Sequence, residues 1–185
     1  ALAYYDYFGE NAGPRGLGYY SYPVGSWRVY SINSELVGSA ASGQAQWLRE
    51  ELARFPTPCA AAVWHKPLFT SGPNGPNPHM QETWRILYNA NVDIVLNGHD
   101  HVYERFAPQE PDGRPDNARG IRQFTVGTGG VGLYSFGAPR PNSEVRASVW
   151  GVIVLFLGNG RYEWNFVPAG IAGVNFGDTG EGSCH

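Results

Sequence analysis

The chain has 185 residues, 42% of them hydrophobic, 14% aromatic and 16% charged, with a net charge of -3 at pH 7. This length suits one domain with a real core, and the composition excludes intrinsic disorder. There is no basic surplus for nucleic acid or an anionic membrane surface, and the longest apolar run, Val149–Leu157, is too short to cross a bilayer.

In chain order, residues 1–18 are aromatic and glycine-rich without periodicity and read as loop. No charged stretch followed by an apolar one opens the chain, so a secretory leader is not expected within it. "YYSYPVG" and "WRVYSINS" read as two strands joined at Gly25-Ser26. In "SGQAQWLREELARF", Trp47, Leu48, Leu52 and Phe55 fall on one helical face, and Pro56 and Pro58 stop that helix. "CAAAVWH" is a nearly continuous apolar run, as a buried strand shows, and it ends at His65. A long loop follows, "KPLFTSGPNGPNP", then a second helix over "HMQETWRILYNA" and a second buried strand over "VDIVLNG". That order is a βαβ unit with a parallel strand pair.

Beyond residue 120 the character is mostly β, with strands over "IRQFTVGTGG", "ASVWGVIVLFLG" and "RYEWNFVPAG", the last two joined by the hairpin signal "GNG". Residues past the last strand form a Gly-rich tail. The sum is a mixed α/β layered domain spanning residues 1–185. Cys59 and Cys184 by themselves leave open a staple made in an oxidising compartment or two unrelated buried thiols. The even count, and a tail with little else to hold it, favour a Cys59–Cys184 disulfide, and with it an extracellular, secreted location.

The chemistry concentrates in "NGHDHVYERF", residues 97–106. In open α/β sheets ligands bind beyond the carboxyl ends of the strands. His65 ends one buried strand, while His99 and His101 lie just past a parallel one. All three imidazoles should therefore emerge at one sheet edge, where neutral imidazole is a common metal ligand. Any one of them alone reads more simply as a solvated or internally satisfied histidine.

These residues also carry a resemblance. "NGHDHVYERF" resembles the Gly-His-x-His block of calcineurin-like metallophosphoesterases, in the purple acid phosphatase-like branch, and "VWHKPLFTSG" resembles that family's strand-end histidine block. "QAQWLREEL", "VGTGG" and "SVWGVIVLF" are similar to its helix and closing β-layer. One departure is Ala62, where the family's pattern has valine. The resemblance implies a layered α/β/β/α sandwich holding two metal ions (Fe, Zn or Mn) about 3.5–4 Å apart. His65 and His99 would hold one ion and His101 the other.

It further implies hydrolysis of phosphate monoesters from a phosphorylated small molecule, with His79 at the start of the second helix as a partner for the leaving group. A surface histidine at a helix start explains His79 equally well. Asn97, Asp100, Tyr103 and Glu104 would support the ligands from behind or serve the structure alone. Arg105 fits phosphate less well than it fits a salt bridge to a nearby carboxylate.

The family's other ligand blocks are not found: the chain has no Asn-His and no Gly-Asp before Gly177-Asp178. The resemblance therefore implies the C-terminal part of a longer catalytic domain, with the N-terminal portion as partner. This chain alone should hold at most one ion, because three imidazoles fall short of the donors such ions take. Two alternatives stand beside the monoesterase: a phosphodiesterase or nucleotidase of the same superfamily, and an incomplete fragment acting as a metal-binding or partner-binding module.

Overall fold

The computed structural model describes residues 2–36, 38–170 and 175–185. Strands β1 (Tyr20–Val24) and β2 (Trp27–Ser31) form the expected hairpin, turning at Gly25 with φ of +59°. Helix α2 (Gly38–Arg54) follows a first short helix, α1 (Leu2–Phe8). Next come β3 (Cys59–Val63), α3 (Gln81–Asn89) and β4 (Ile94–Asn97), and β3 and β4 pair in parallel. The remaining strands are β5 (Tyr103–Phe106), β6 (Arg122–Val126), β7 (Ser143–Ala147), β8 (Gly151–Gly158), β9 (Arg161–Pro168) and β10 (Asp178–Ser183).

Seven strands make one sheet in the order β1-β2-β3-β4-β6-β5-β7, and β10-β9-β8 make a second. Strand alternation explains how the layers stack, because successive side chains point to opposite faces. Ala60 and Ala62 of β3 face a core with Leu48 of α2 and Trp84 and Leu87 of α3. Cys59 and Ala61 face the other way, into a core with Tyr162, Trp164 and Phe166 of β9. The described residues thus supply three layers, α/β/β, and the second half is mostly β, as expected.

Four local readings need correction. Residues 2–8 are helical rather than loop, because a helix brings Tyr4 and Phe8 together at 4.9 Å while burying Tyr5. The tail is not loose: Asp178–Ser183 pairs with β9, and Gly180 and Gly182 lie flat against the rings of Trp164 and Tyr162, where a Cβ would sit 2.3 Å from each. The run read as one strand from Ala147 breaks into β7 and β8, since Gly151 is tied on both sides of its peptide to Thr128 in the loop after β6. Strand β5 went unread because Tyr103–Phe106 carries Glu104 and Arg105 in four residues, a pattern that hides its membership of a buried ladder.

Candidate metal centre

The parallel strands β2, β3, β4 and β6 end at one edge of the large sheet. His65 lies two residues past β3 and His99 two past β4. Their backbones are tied by the bond from Gly98 N–H to the His65 carbonyl, 3.1 Å. His99 adopts φ of +67°, a left-handed conformation that costs a non-glycine residue about 1 kcal/mol or more. Short bonds from Asp100 N–H to the Gly98 carbonyl and from Val102 N–H to the Asp100 carbonyl, each 2.8 Å, hold that tight turn. Gly127, at the end of β6, lets the turn pass: a Cβ there would lie 2.0 Å from the Asp100 carbonyl oxygen.

The result is that His65 Nε2 and His99 Nδ1 are 3.1 Å apart. Neighbouring ligands on one ion at metal–nitrogen distances of roughly 2.0–2.1 Å sit about 3.0–3.4 Å apart, so the pair fits a shared cation. Burial, and then the adjacent His99 ring, push the His65 pKa below the ordinary histidine value, which favours the neutral, ligating form.

His101 is held differently. Its ring stacks on Tyr134 at 4.2 Å, and its Nδ1 lies 2.9 Å from the Gly132 carbonyl, which leaves Nε2 free as an acceptor. His101 does not join the other two around one point. Among the described residues, no group of three His, Cys, Asp or Glu donors within 4.8 Å includes any of these histidines. The three imidazoles therefore fit a metal centre as a partial ligand set, without a carboxylate.

The four residues expected to support the ligands do not hydrogen-bond the ring of His65, His99 or His101 among the described residues; His65 and His99 face each other, and the partner of the His101 ring is the Gly132 carbonyl. Asn97 donates from Nδ2 to the Trp64 carbonyl at 3.0 Å, bracing the chain just before His65, while its Oδ1 is buried and unpartnered. Asp100 accepts from Thr70 Oγ1 at 2.6 Å and from Asn74 N–H at 3.1 Å. Glu104 accepts from Ser71 N–H and Oγ and from Ser143 Oγ, at 2.6–2.8 Å. Both carboxylates are fully buried, and they lock the loop that follows His65.

Tyr103 faces the opposite core and donates to Asp178 at 2.6 Å. Arg105 pairs with Asp178 at 2.7 Å and also with Glu144, so it is committed to carboxylates and not to a phosphate. His79 is not brought to the histidine edge. It is exposed on a 3-10 turn, Pro78–Met80, and lines a groove between α2 and α3 with Gln44 and Thr83.

Two clefts, each of about 510 Å³, adjoin His65. One is lined by Asn97, Gly98 and Ile153, the other by Tyr4, Tyr5, Glu35 and Lys66. The contributions of Tyr134, Ser71 and Ser143 went unread; the first two come from loops and the third from the first position of β7, and contact alone reveals them.

No family model matches the chain. In sequence it is 33% identical over 143 residues to purple acid phosphatase 22 of Arabidopsis thaliana, covering 72% of this chain and 32% of that protein. It is 30% identical over 171 residues to probable purple acid phosphatase 20 of the same plant, covering 84% and 40%. In structure it matches the purple acid phosphatase PPD1 from yellow lupin (Lupinus luteus) seeds with a TM-score of 0.76 at 21% identity, over 91% of this chain and 33% of that one. The chain spans about a third of the length of the relatives it matches. Related in sequence and alike in fold to purple acid phosphatases, the chain corresponds to the C-terminal portion of a metallophosphoesterase of that kind.

Proposed function

We propose that this chain supplies the imidazole half of a dinuclear metal centre that hydrolyses phosphate monoesters in a secreted, acid phosphatase-like enzyme. The observation that carries the reading is the 3.1 Å approach of His65 Nε2 to His99 Nδ1 at the carboxyl edge of the sheet. His65 and His99 would hold one ion and His101, through Nε2, the other. When bound, such ions supply positive charge to a phosphoryl group and acidify a water.

The chain's own residues position and shield. Asp100 and Glu104 fix the loop after His65, and the Gly132 carbonyl orients His101. The cleft beside His65, with Tyr4 and Tyr5, offers room for the organic part of a phosphorylated small molecule. Two cations held close together repel strongly without an anion between them. The carboxylates that bridge them would come from the N-terminal portion, so this chain alone would hold at most one ion. The Cys59–Cys184 disulfide supports an oxidising, extracellular setting.

The test is hydrolysis of p-nitrophenyl phosphate with Mn²⁺, Zn²⁺ or Fe. The 185-residue chain should turn over little or none. A protein that also carries the upstream ligand blocks should be active, and His99→Ala or His101→Ala in it should abolish activity. Robust turnover by the chain alone, or by the His99→Ala enzyme, would overturn the assignment.

A second reading, a partner-binding module, is favoured by one feature. Among the described residues strand β8 pairs only with β9, leaving its other backbone edge open to a further strand, and one face of it exposes Val152, Val154 and Phe156.

A further inference from the structure

A second set of metal-ligating atoms lies at the other end of β3. Six residues of extended chain, roughly 20 Å, separate Cys59 from His65. Here the Sγ atoms of Cys59 and Cys184 and a carboxylate oxygen of Asp93 lie within 4.8 Å of one another. His185 Nδ1 is 3.2 Å from Asp93 Oδ1 and stands outside that group of three, so a fourth donor of a different kind flanks it on the Asp93 side. The four atoms come from the start of β3, the residue before β4 and the tail after β10.

The cluster is held in place independently of the sulfurs. The Asp93 side chain is only 1% exposed, and it accepts from Ala60 N–H at 2.8 Å and from His185 N–H at 3.0 Å. Cys184 N–H donates to the Gly160 carbonyl at 2.9 Å, fixing the tail from the other side. In the protein described above the two sulfurs are bonded to each other, and neither is a ligand.

We propose that reduction of the Cys59–Cys184 disulfide converts this cluster into a tetrahedral site for Zn²⁺, with Cys59 Sγ, Cys184 Sγ, one Asp93 oxygen and His185 Nδ1 as ligands. A dithiol reductant gives two electrons and two protons to the disulfide and becomes a disulfide itself, leaving two protein thiols. Binding Zn²⁺ then releases the two thiol protons, forming two metal–sulfur bonds, while His185 ligates as its neutral Nε2–H tautomer.

Two thiolates, an imidazole and a carboxylate make a donor set suited to Zn²⁺. Ligand atoms about such an ion sit roughly 3.3–3.8 Å apart, so the site needs a contraction of the three grouped donors, an inward turn of the C-terminal His185 ring, and the parting of two sulfurs whose Cα atoms are 5.4 Å apart. The metal would close the same loop that the disulfide closes, so the tail stays attached in reducing surroundings.

The experiment uses the 185-residue chain carrying His65→Ala and His99→Ala, which silences the other edge. It is reduced with a water-soluble phosphine, which takes oxygen from water as it reduces the disulfide, and the phosphine is then removed under nitrogen. Titration with Co²⁺ should give one ion per chain with a thiolate-to-metal charge-transfer band, displaced by Zn²⁺. Zn²⁺ should raise the thermal midpoint of the reduced chain and not of the oxidised one.

His185→Ala, at a partly exposed position, should weaken Zn²⁺ binding by roughly tenfold or more, at least the effect of losing an outer-shell partner. Absence of the charge-transfer band, or binding unaffected by His185→Ala, would overturn the proposal. If reduction unfolds the chain by circular dichroism, Zn²⁺ should refold it, and failure to do so would overturn it equally.

Discussion

His65 Nε2 lies 3.1 Å from His99 Nδ1, although the two residues are 34 apart in sequence. Two ring nitrogens this close, on strands held in parallel register, make a two-point clamp for a cation. Removing either ring should therefore weaken single-ion binding by the chain by roughly tenfold or more. His101→Ala should leave that ion in place, because its ring is turned to Gly132 and Tyr134. Calorimetric titration with Mn²⁺ or Zn²⁺ of the oxidised chain checks this, and equal losses for all three variants would contradict the geometry.

Asp178 gathers Tyr103, Arg105 and Trp164 around one buried carboxylate. Burial alone would raise its pKa, but the hydrogen bonds from Arg105 and Tyr103 win and hold it below the usual carboxylate range. Asp178→Ala leaves Arg105 with Glu144 alone and the buried Tyr103 hydroxyl without its acceptor, and should cost about 1–3 kcal/mol in urea denaturation at pH 7.

The pH dependence of that difference has a definite sign. A depressed folded pKa means the stabilisation is complete above the unfolded value of about 3.9 and fades as pH falls through the folded one. The gap in stability between the parent chain and Asp178→Ala should therefore be constant near neutrality and shrink below about pH 4. A gap that stays constant down to pH 2 would refute the assignment.

Reducing the Cys59–Cys184 bond in metal-free buffer releases a loop spanning a separation of 125 residues. In the chain-entropy model this costs about 4–5 kcal/mol. The urea midpoint of the reduced chain should fall accordingly, with the loss seen first as hydrogen exchange in β10.

Gly180→Ala and Gly182→Ala should each cost about 1–3 kcal/mol, because the added methyl meets the Trp164 or Tyr162 ring at 2.3 Å. Gly177→Ala, with nothing within 4 Å, should change stability by no more than about 0.5 kcal/mol. Thermal melts of the three variants separate a strand seated on aromatic rings from a free tail.

The sequence by itself determined the βαβ unit and the histidine edge. The apolar runs at Cys59–Val63 and Ile94–Asn97 are short, continuous and separated by a helix, and that order forces parallel strands with His65, His99 and His101 beyond their ends. It also determined the β8–β9 hairpin, through Gly160 in its turn. Only the tertiary structure decided what surrounds the edge. Tyr103, Glu104 and Arg105 are consecutive, yet they serve a buried aromatic core, a serine lock and an ion pair, because alternate side chains of β5 meet different layers. Asp178 and the glycines beside it look like a solvated tail, and become a strand because Tyr162 and Trp164 leave room for nothing larger than hydrogen. Local pattern carries periodicity along the chain, while which side chain meets which across layers depends on packing that no local window contains.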